Sequence, residues 1–525
     1  MTSLTFYGGV DEIGGNKILL HDGGTRLFFD FGISYGRRKL FYEEYLNPRA
    51  NAGLRDMLEM GLLPPLRGIY RDDLLEPDQW KAFSDRPGYE EMEVHGILLS
   101  HAHFDHSGYI SFLNESIPVS TSLVTAVISK AIQDSAKSDF EKEVCFTLRR
   151  EYVGNLYQSV KNSPAKQRPF LVFSGGEIPQ KTREFWEDIP GKRGLDCCPL
   201  KPAGKIGNLP VRQFPVDHSI YGASAYAVET EAGWICYSGD LRFHGGAADY
   251  TRTFAEKAAA LKPRVLICEG TRITDKNRVT EDEVYLNALD AVKRASGLVL
   301  ADFGARNIER LLIFHRIAGE TSRQLVVMPR DAYLLDKLSP VMDAVPTLED
   351  SKDLLIYTDP KARLDTWERE IRGRLSSRLI GAETIRKNQG NYILCFSFWD
   401  LNDMVDLAPD NGVYIYSSSE VFDEEGGIDM KRLHSWADHF HLKKVGLPVP
   451  TKGANTPDDW EIPPEQLGLH ASGHGGGPEL LEMIKLISPD ILVPVHTLHK
   501  EEFARALQGT GIKVRFPSPG QKMQV

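Results

Sequence analysis

Residues 101–106 read His-Ala-His-Phe-Asp-His, which puts three imidazoles and a carboxylate within six positions. Neutral imidazole and carboxylate form the ligand set of Zn²⁺, with Mn²⁺ or Fe²⁺ as alternatives. The apolar run Gly96-Ile97-Leu98-Leu99-Ser100 just before them reads as a buried strand feeding a loop. His101 and His103 can then converge on one ion at the strand's end, with Asp105 and His106 past the turn, placed to hold a second. The same pattern of a chemical side chain after an apolar run recurs downstream. His218 follows Val216-Asp217, Asp240 follows Cys236-Tyr237-Ser238-Gly239, Glu269 follows Leu266-Ile267-Cys268, and His496 follows Val495. Asp30 closes Leu27-Phe28-Phe29, and His470-Ala-Ser-Gly-His474-Gly-Gly-Gly477 precedes a helical run from Pro478. Taken singly, each has a plain alternative, such as a surface histidine or a turn aspartate after glycine. Their joint order is what points to a metal site.

The elements that must position them are legible as alternating patterns. Strands are predicted at 4–7, 17–21, 26–31, 96–100, 170–173, 211–214, 224–229, 234–238 and 265–268. Residues 36–92 are irregular and read as a surface excursion. A helix is predicted at 121–137, and the charged stretch 138–168 is also expected to be helical. From 275 to 416 helix and strand alternate: helices at 281–295 and 307–318, strands at 297–301, 324–328, 354–357, 391–396 and 412–416. That alternation predicts a separate α/β unit with a mostly parallel sheet. The chain therefore divides into 1–274, an inserted unit at 275–416, and 417–525, with chemical residues on both sides of the insertion.

Composition narrows the class. The 525 residues suffice for two to four domains, and 42% hydrophobic with 26% charged residues is ordinary for a soluble globular protein. No apolar run approaches the roughly 20 residues of a membrane span, so no membrane partner is expected. The N-terminus has neither the basic nor the apolar region of a secretory signal. None of the six cysteines forms a Cys-x-x-Cys pair, and Cys236 and Cys268 lie in apolar runs as reduced core thiols would. A reducing cytoplasm is the expected location. The net charge of −11 excludes a uniformly basic surface but not a local basic groove. Residues 361–387 carry eight Lys/Arg against four acids, which suits either a solvated helix face or a phosphate-tracking surface.

His101-x-His103-x-Asp105-His106 followed by His218 and Asp240 resembles the metallo-β-lactamase signature, and Asp30 matches that family's early aspartate. The inserted unit, with Glu269 before it and His474 and His496 after it, resembles the β-CASP subgroup of nucleic-acid-processing hydrolases, and within it the ribonuclease J family. Gly8-Gly9-Val10-Asp11-Glu12-Ile13-Gly14, His470-Ala-Ser-Gly-His474-Gly and Val493-Pro-Val-His496 support this. The resemblance implies an α/β fold: a metallo-β-lactamase αββα sandwich with an inserted α/β β-CASP domain. It implies two Zn²⁺, with Mn²⁺ as an alternative, one held by His101, His103 and His218, the other by Asp105, His106 and His496, and Asp240 bridging them. Asp30 and Glu269 would orient histidines through hydrogen bonds. Asp105 would take the nucleophile's proton, and His474 would contact the scissile phosphate. His470, Ser472 and Gly473 would hold phosphate beside it, and the amides of the glycine run and the helix from Pro478 would favour an anion.

Histidine at 496 is the choice of RNA-acting members. The implied activity is a metal-dependent ribonuclease, a 5′-to-3′ exonuclease with endonuclease action left open. Its partner is single-stranded RNA, and a homodimer stays open. Two competing expectations remain. A small-molecule ester, thioester or lactone hydrolase on the same fold is opposed by the inserted unit and His474. A non-catalytic RNA-binding member should have lost ligands.

Overall fold

The computed structural model describes residues 1–43, 45–49, 51–137, 139–276, 278–418, 430–451 and 460–525. Two large sheets lie face to face. The first has eight strands, among them Ser3–Gly8, Lys17–Asp22, Thr25–Phe29, Gly96–Leu98, Val119–Ser122 and Phe170–Phe173. The second has seven, in the order Lys205–Ile206, Leu209–Pro215, Ser224–Thr230, Gly233–Tyr237, Val265–Glu269, Ile491–Val495, Lys513–Val514. Alternate side chains fill the space between them: Leu4, Phe6, Ile18, Leu20, Leu27 and Phe29 from one sheet, and Tyr226, Val228, Ile235, Val265, Ile267 and Val493 from the other. Each such buried side chain contributes about 1.5–3 kcal/mol. A one-residue slip would turn a whole row outward, so the register, and with it each strand's end, is firmly set. The opposite face of the second sheet (Cys236, Leu266, Cys268, Leu492) packs on helices Ala248–Leu261 and Gly477–Ile487. This is the layering expected of an αββα sandwich.

A third sheet of seven strands joins only parallel neighbours, in the order Leu379–Gly381, Leu354–Thr358, Gln324–Val327, Tyr392–Phe396, Val299–Asp302, Val413–Tyr416, Lys443–Val445. Its central strands are buried throughout, as a sheet covered by helices on both faces requires. The last strand lies past 416, where the sequence pattern ended; it is short, at the edge, and mostly lysine. Helix Glu281–Lys293 opens the unit behind a capping box of Thr280 and Glu283. Val127, Ile128 and Ala131 of helix Leu123–Ser135 share one apolar cluster with Leu334, Leu335 and Leu338 of helix Pro329–Leu338, which joins this unit to the sandwich.

Two expectations are corrected. Residues 36–92 are not a surface excursion: Leu54, Met57, Leu62, Leu63, Ile69, Tyr70, Leu74 and Phe83 are buried in the core outside the first sheet. Their apolar residues follow neither helical nor strand spacing, so periodicity could not show them. Residues 139–168 form only one short helical turn, Phe140–Lys142, and otherwise contain strands Phe146–Thr147, Arg150–Val153, Leu156–Ser159 and Ala165–Gln167. Gly154 and Asn155, at φ +59° and +66°, make the tight turn that pairs Val153 with Leu156. The basic stretch 361–387 pairs largely with acids, Arg372 with Asp359 and Glu368, Arg374 with Asp336 and Glu349, and Lys387 with Glu383, as a solvated helix face does. No helix among the described residues is long and apolar enough to cross a membrane.

Candidate metal centre

Parallel strands that are neighbours in a sheet end at the same rim, and this brings distant residues together. Gly233–Tyr237, Val265–Glu269 and Ile491–Val495 are parallel neighbours, so Asp240, Glu269 and His496 emerge side by side. Thr25–Phe29 and Gly96–Leu98 do the same for Asp30 and His101–His106. The short helix Phe104–Ser107, entered at His103, carries Asp105 and His106. Asp30 and His496 both take left-handed backbone, φ +54° and +52°, a conformation costing about 1–3 kcal/mol that persists where surroundings enforce it. The enforcing contacts are backbone bonds from Asp30 N to Leu98 O (3.0 Å) and from His496 N to Gly9 O (2.8 Å). Gly32 lets the chain pass against Asp105: a Cβ there would lie 1.6 Å from the Asp105 carbonyl oxygen.

The ligand-type atoms of His101, His103 and His218 lie within 4.8 Å of one another, as do those of Asp105, His106, Asp240 and His496. In the first group His103 Nδ1 is 3.1 Å from His101 Nε2 and 3.2 Å from His218 Nε2. In the second, Asp105 Oδ2 is 3.3 Å from His106 Nε2 and 3.2 Å from His496 Nε2. Asp240 stands between the groups, its Oδ2 2.9 Å from His106 Nε2, 3.6 Å from His496 Nε2 and 3.8 Å from His101 Nε2. A third grouping within 4.8 Å holds Asp240, Glu269, His474 and His496.

Hydrogen bonds behind the rings turn these atoms inward. Asp30 Oδ2 accepts from His106 Nδ1 (2.7 Å), from the Ser100 hydroxyl (2.8 Å) and from the Tyr237 phenol (2.6 Å). Gly473 O accepts from His218 Nδ1 at 2.6 Å, and the Thr271 hydroxyl faces His496 Nδ1 at 2.7 Å. Glu269 lies with both carboxylate oxygens 3.0 Å from His474 Nδ1 and also accepts the amides of Leu241 and Thr271. Sequence reasoning found Asp30 and Glu269 in this supporting layer but missed Ser100, Tyr237 and Thr271. The available signal was weak: a hydroxyl residue next to, or two or three positions from, a candidate ligand.

Burial pushes His101, His103 and His218 down, His103 to about 3, and neighbouring imidazoles push further. These rings are neutral at pH 7 with lone pairs available. Burial pushes Asp105 and Asp240 up, but His106 and His496 beside them outweigh it and hold both carboxyls well below their usual range. With His218 Nδ1 donating to Gly473 O, the neutral ring turns the lone pair of Nε2 toward His103 Nδ1 at 3.2 Å, as a ligand atom would be turned toward a shared cation. Asp240 Oδ1 is buried with no hydrogen-bond partner, a state that costs about 1–3 kcal/mol unless something else satisfies it. The donor set therefore fits divalent metal.

His470 and Ser472 line a cavity of about 1260 Å³ that also reaches Asp105, Thr271, Arg37, Lys39, Arg272, Arg278 and Trp460. The His470 ring lies 2.9 Å from Gly446 O and 3.3 Å from Ser418 O, and the Ser472 hydroxyl accepts the His474 amide. The expected anion cradle of the glycine run is corrected. The amides of Gly475 and Gly477 donate to Leu241 O and Asp275 O, and that of Gly476 to Glu479, so they tie the loop down. Glycine is needed there for close approach, since a Cβ on Gly477 would lie 2.1 Å from Ile273 O.

Comparison with known proteins places this geometry. A family model described as the Zn-dependent metallo-hydrolase RNA specificity domain matches residues 468–517, the segment that carries His470, His474 and His496. A curated ribonuclease J from Pyrococcus abyssi is 21% identical over 94% of this chain and 90% of its own length. One from Helicobacter pylori is 21% identical over 94% of this chain, which spans 55% of that relative. Over most of its length the chain is thus similar to ribonuclease J proteins, and its fold is that of a metallo-β-lactamase sandwich of β-CASP type. A crystal structure of a protein of unknown function from Enterococcus faecalis aligns with this ribonuclease J-like chain over 99% of both, at a TM-score of 0.66 and 21% identity, which supports the fold.

Proposed function

We propose that this chain is a metal-dependent ribonuclease that hydrolyses phosphodiester bonds of single-stranded RNA as a 5′-to-3′ exonuclease. The observation that carries the proposal is the meeting of seven ligand-type side chains from strand ends far apart in sequence, one of which, Asp105, opens onto a cleft bordered by the segment that matches an RNA specificity domain. Two Zn²⁺ suit the donor set, with Mn²⁺ as the alternative. His101, His103 and His218 would hold one; Asp105, His106 and His496 the other; Asp240 would serve both. When bound, such ions supply Lewis acidity at the phosphoryl oxygens and ease deprotonation of water near neutral pH. Water attacks phosphorus, the bond to the 3′ oxygen breaks, Asp105 accepts the water's proton, and the departing 3′ oxygen takes up a proton from solvent to leave as a hydroxyl. His474, fixed by Glu269 through Nδ1, offers Nε2 to a phosphoryl oxygen as charge builds. Arg37, Lys39, Arg272 and Arg278 line the cleft and would give the RNA backbone cationic contacts; His470 and Ser472, which also line it, and the neighbouring Gly473 would adjoin the scissile phosphate.

His474→Ala should lower kcat on RNA by about 10²–10³-fold with little change in KM, the size seen when one charge-stabilising donor is removed. The deciding experiment follows 5′-monophosphate, 5′-triphosphate and 5′-hydroxyl RNA beside single-stranded DNA and a thioester. Mononucleotides released from 5′-monophosphate RNA support the proposal. Turnover of the thioester with intact RNA refutes it.

A further inference from the structure

We infer that Glu281, clamped between Arg242 and Arg310, positions the loop that carries His474 and holds His218. Arg242 Nη1 donates to Glu281 Oε1 at 2.8 Å; Arg310 donates Nε to Oε2 at 2.9 Å and Nη2 to Oε1 at 3.0 Å. Both guanidiniums are fully buried and Glu281 is 5% exposed. The three side chains come from different parts of the molecule. Arg242 lies two residues past Asp240, Glu281 is the first residue of the helix that opens the inserted unit, and Arg310 belongs to that unit's next helix.

From this centre the contacts run to the site. Arg242 Nη1 donates to Ser472 O at 3.2 Å, and Arg242 Nε to Asp217, next to His218, at 3.2 Å. Arg310 Nη1 reaches the carbonyl and hydroxyl of Ser417 at the end of a strand of the third sheet, and Leu469 O at 3.4 Å. The loop 469–474 is thus held at two carbonyls by guanidiniums that share one carboxylate. That loop presents Gly473 O to His218 Nδ1 and, two residues past Ser472, the His474 ring to Glu269. Arg242 also pairs with Asp217 and Glu309, whereas the ion pair of Arg310 is with Glu281, so neutralising Glu281 leaves the buried Arg310 charge uncompensated and would loosen its hold on Leu469 O and the loop. Glu281, Arg242 and Arg310 touch no ligand atom; they are positioning residues. The inference rests on the roles given to His218 and His474 under the proposed function.

The test uses the full-length, zinc-loaded chain with Glu281→Gln and, should that variant fold poorly, Arg310→Lys, which keeps the charge but not the fork of donors. On 5′-monophosphate RNA, Glu281→Gln should lower kcat about tenfold or more with KM within about threefold, the range of losses for residues that orient ligands. Hydrogen exchange, followed by mass spectrometry, should speed up about tenfold in the peptide 469–477 and stay unchanged in 96–107. Arg310→Lys should shift both readouts in the same direction by less. Wild-type kcat and exchange in both variants would overturn the inference, as would a lowered melting temperature with kcat and loop exchange intact. If the wild-type chain cleaves no RNA, the proposed function fails by itself, and the exchange measurement still decides whether Glu281 holds the loop.

Discussion

Replacing Asp240 with alanine is expected to lower kcat/KM on RNA by about a thousandfold or more. Asp240 is the carboxylate that lies between the two histidine groups, 2.9 Å from His106 and 3.8 Å from His101. It is 2% exposed. Without it His101, His106 and His496 lose their common anion, and each candidate metal position loses a donor. Metal-centred charge stabilisation is worth several kcal/mol, and about 4 kcal/mol corresponds to about a thousandfold in rate. Asp240→Asn keeps the shape but not the charge and should fall between wild type and alanine. Initial rates at saturating RNA and excess zinc check this; an alanine variant that keeps a tenth of wild-type activity would remove Asp240 from the centre.

The second large effect concerns Asp105. Its Oδ2 faces His106 and His496 at 3.3 and 3.2 Å, and the side chain also lines the cleft, which suits a group that meets both metal and water. Asp105→Ala should lower kcat by about 10²–10⁴-fold, the contribution of a positioned acid or base, and leave RNA affinity within a few fold. Fluorescence anisotropy of labelled RNA separates the two quantities. A comparable loss in binding would instead make Asp105 part of the RNA surface.

Much of the site was legible because strand ends are legible. Apolar runs stop where a buried strand stops, so Asp30, His101, Asp240, Glu269 and His496 were marked by the residues just before them. Parallel pairing then placed Asp240, Glu269 and His496 on one rim, a fact that spacing alone could not supply. Residues 54–92 failed because a layer built from short helices and turns has no period, although its leucines are as buried as those of the sheets. The stretch 138–168 failed because its charges outweighed the Gly154-Asn155 turn, the stronger local signal. The Arg242–Glu281–Arg310 cluster was invisible for another reason: its partners are 29 and 39 residues apart, on elements whose mutual placement only the fold decides. The glycine run was read as an anion cradle because glycine serves open backbone and close packing alike, and only the partners of Gly475, Gly476 and Gly477 tell them apart.

The central claim is that imidazoles and carboxylates from distant strands hold metal together in one cleft. Its most direct test is the metal content of the purified chain, measured by plasma mass spectrometry after gel filtration, beside His218→Ala and Asp240→Ala. About two equivalents of zinc or manganese per chain are predicted, with a loss of about one in His218→Ala and of more in Asp240→Ala. A chain that binds no transition metal even after incubation with zinc, or variants that bind as much as wild type, would contradict it.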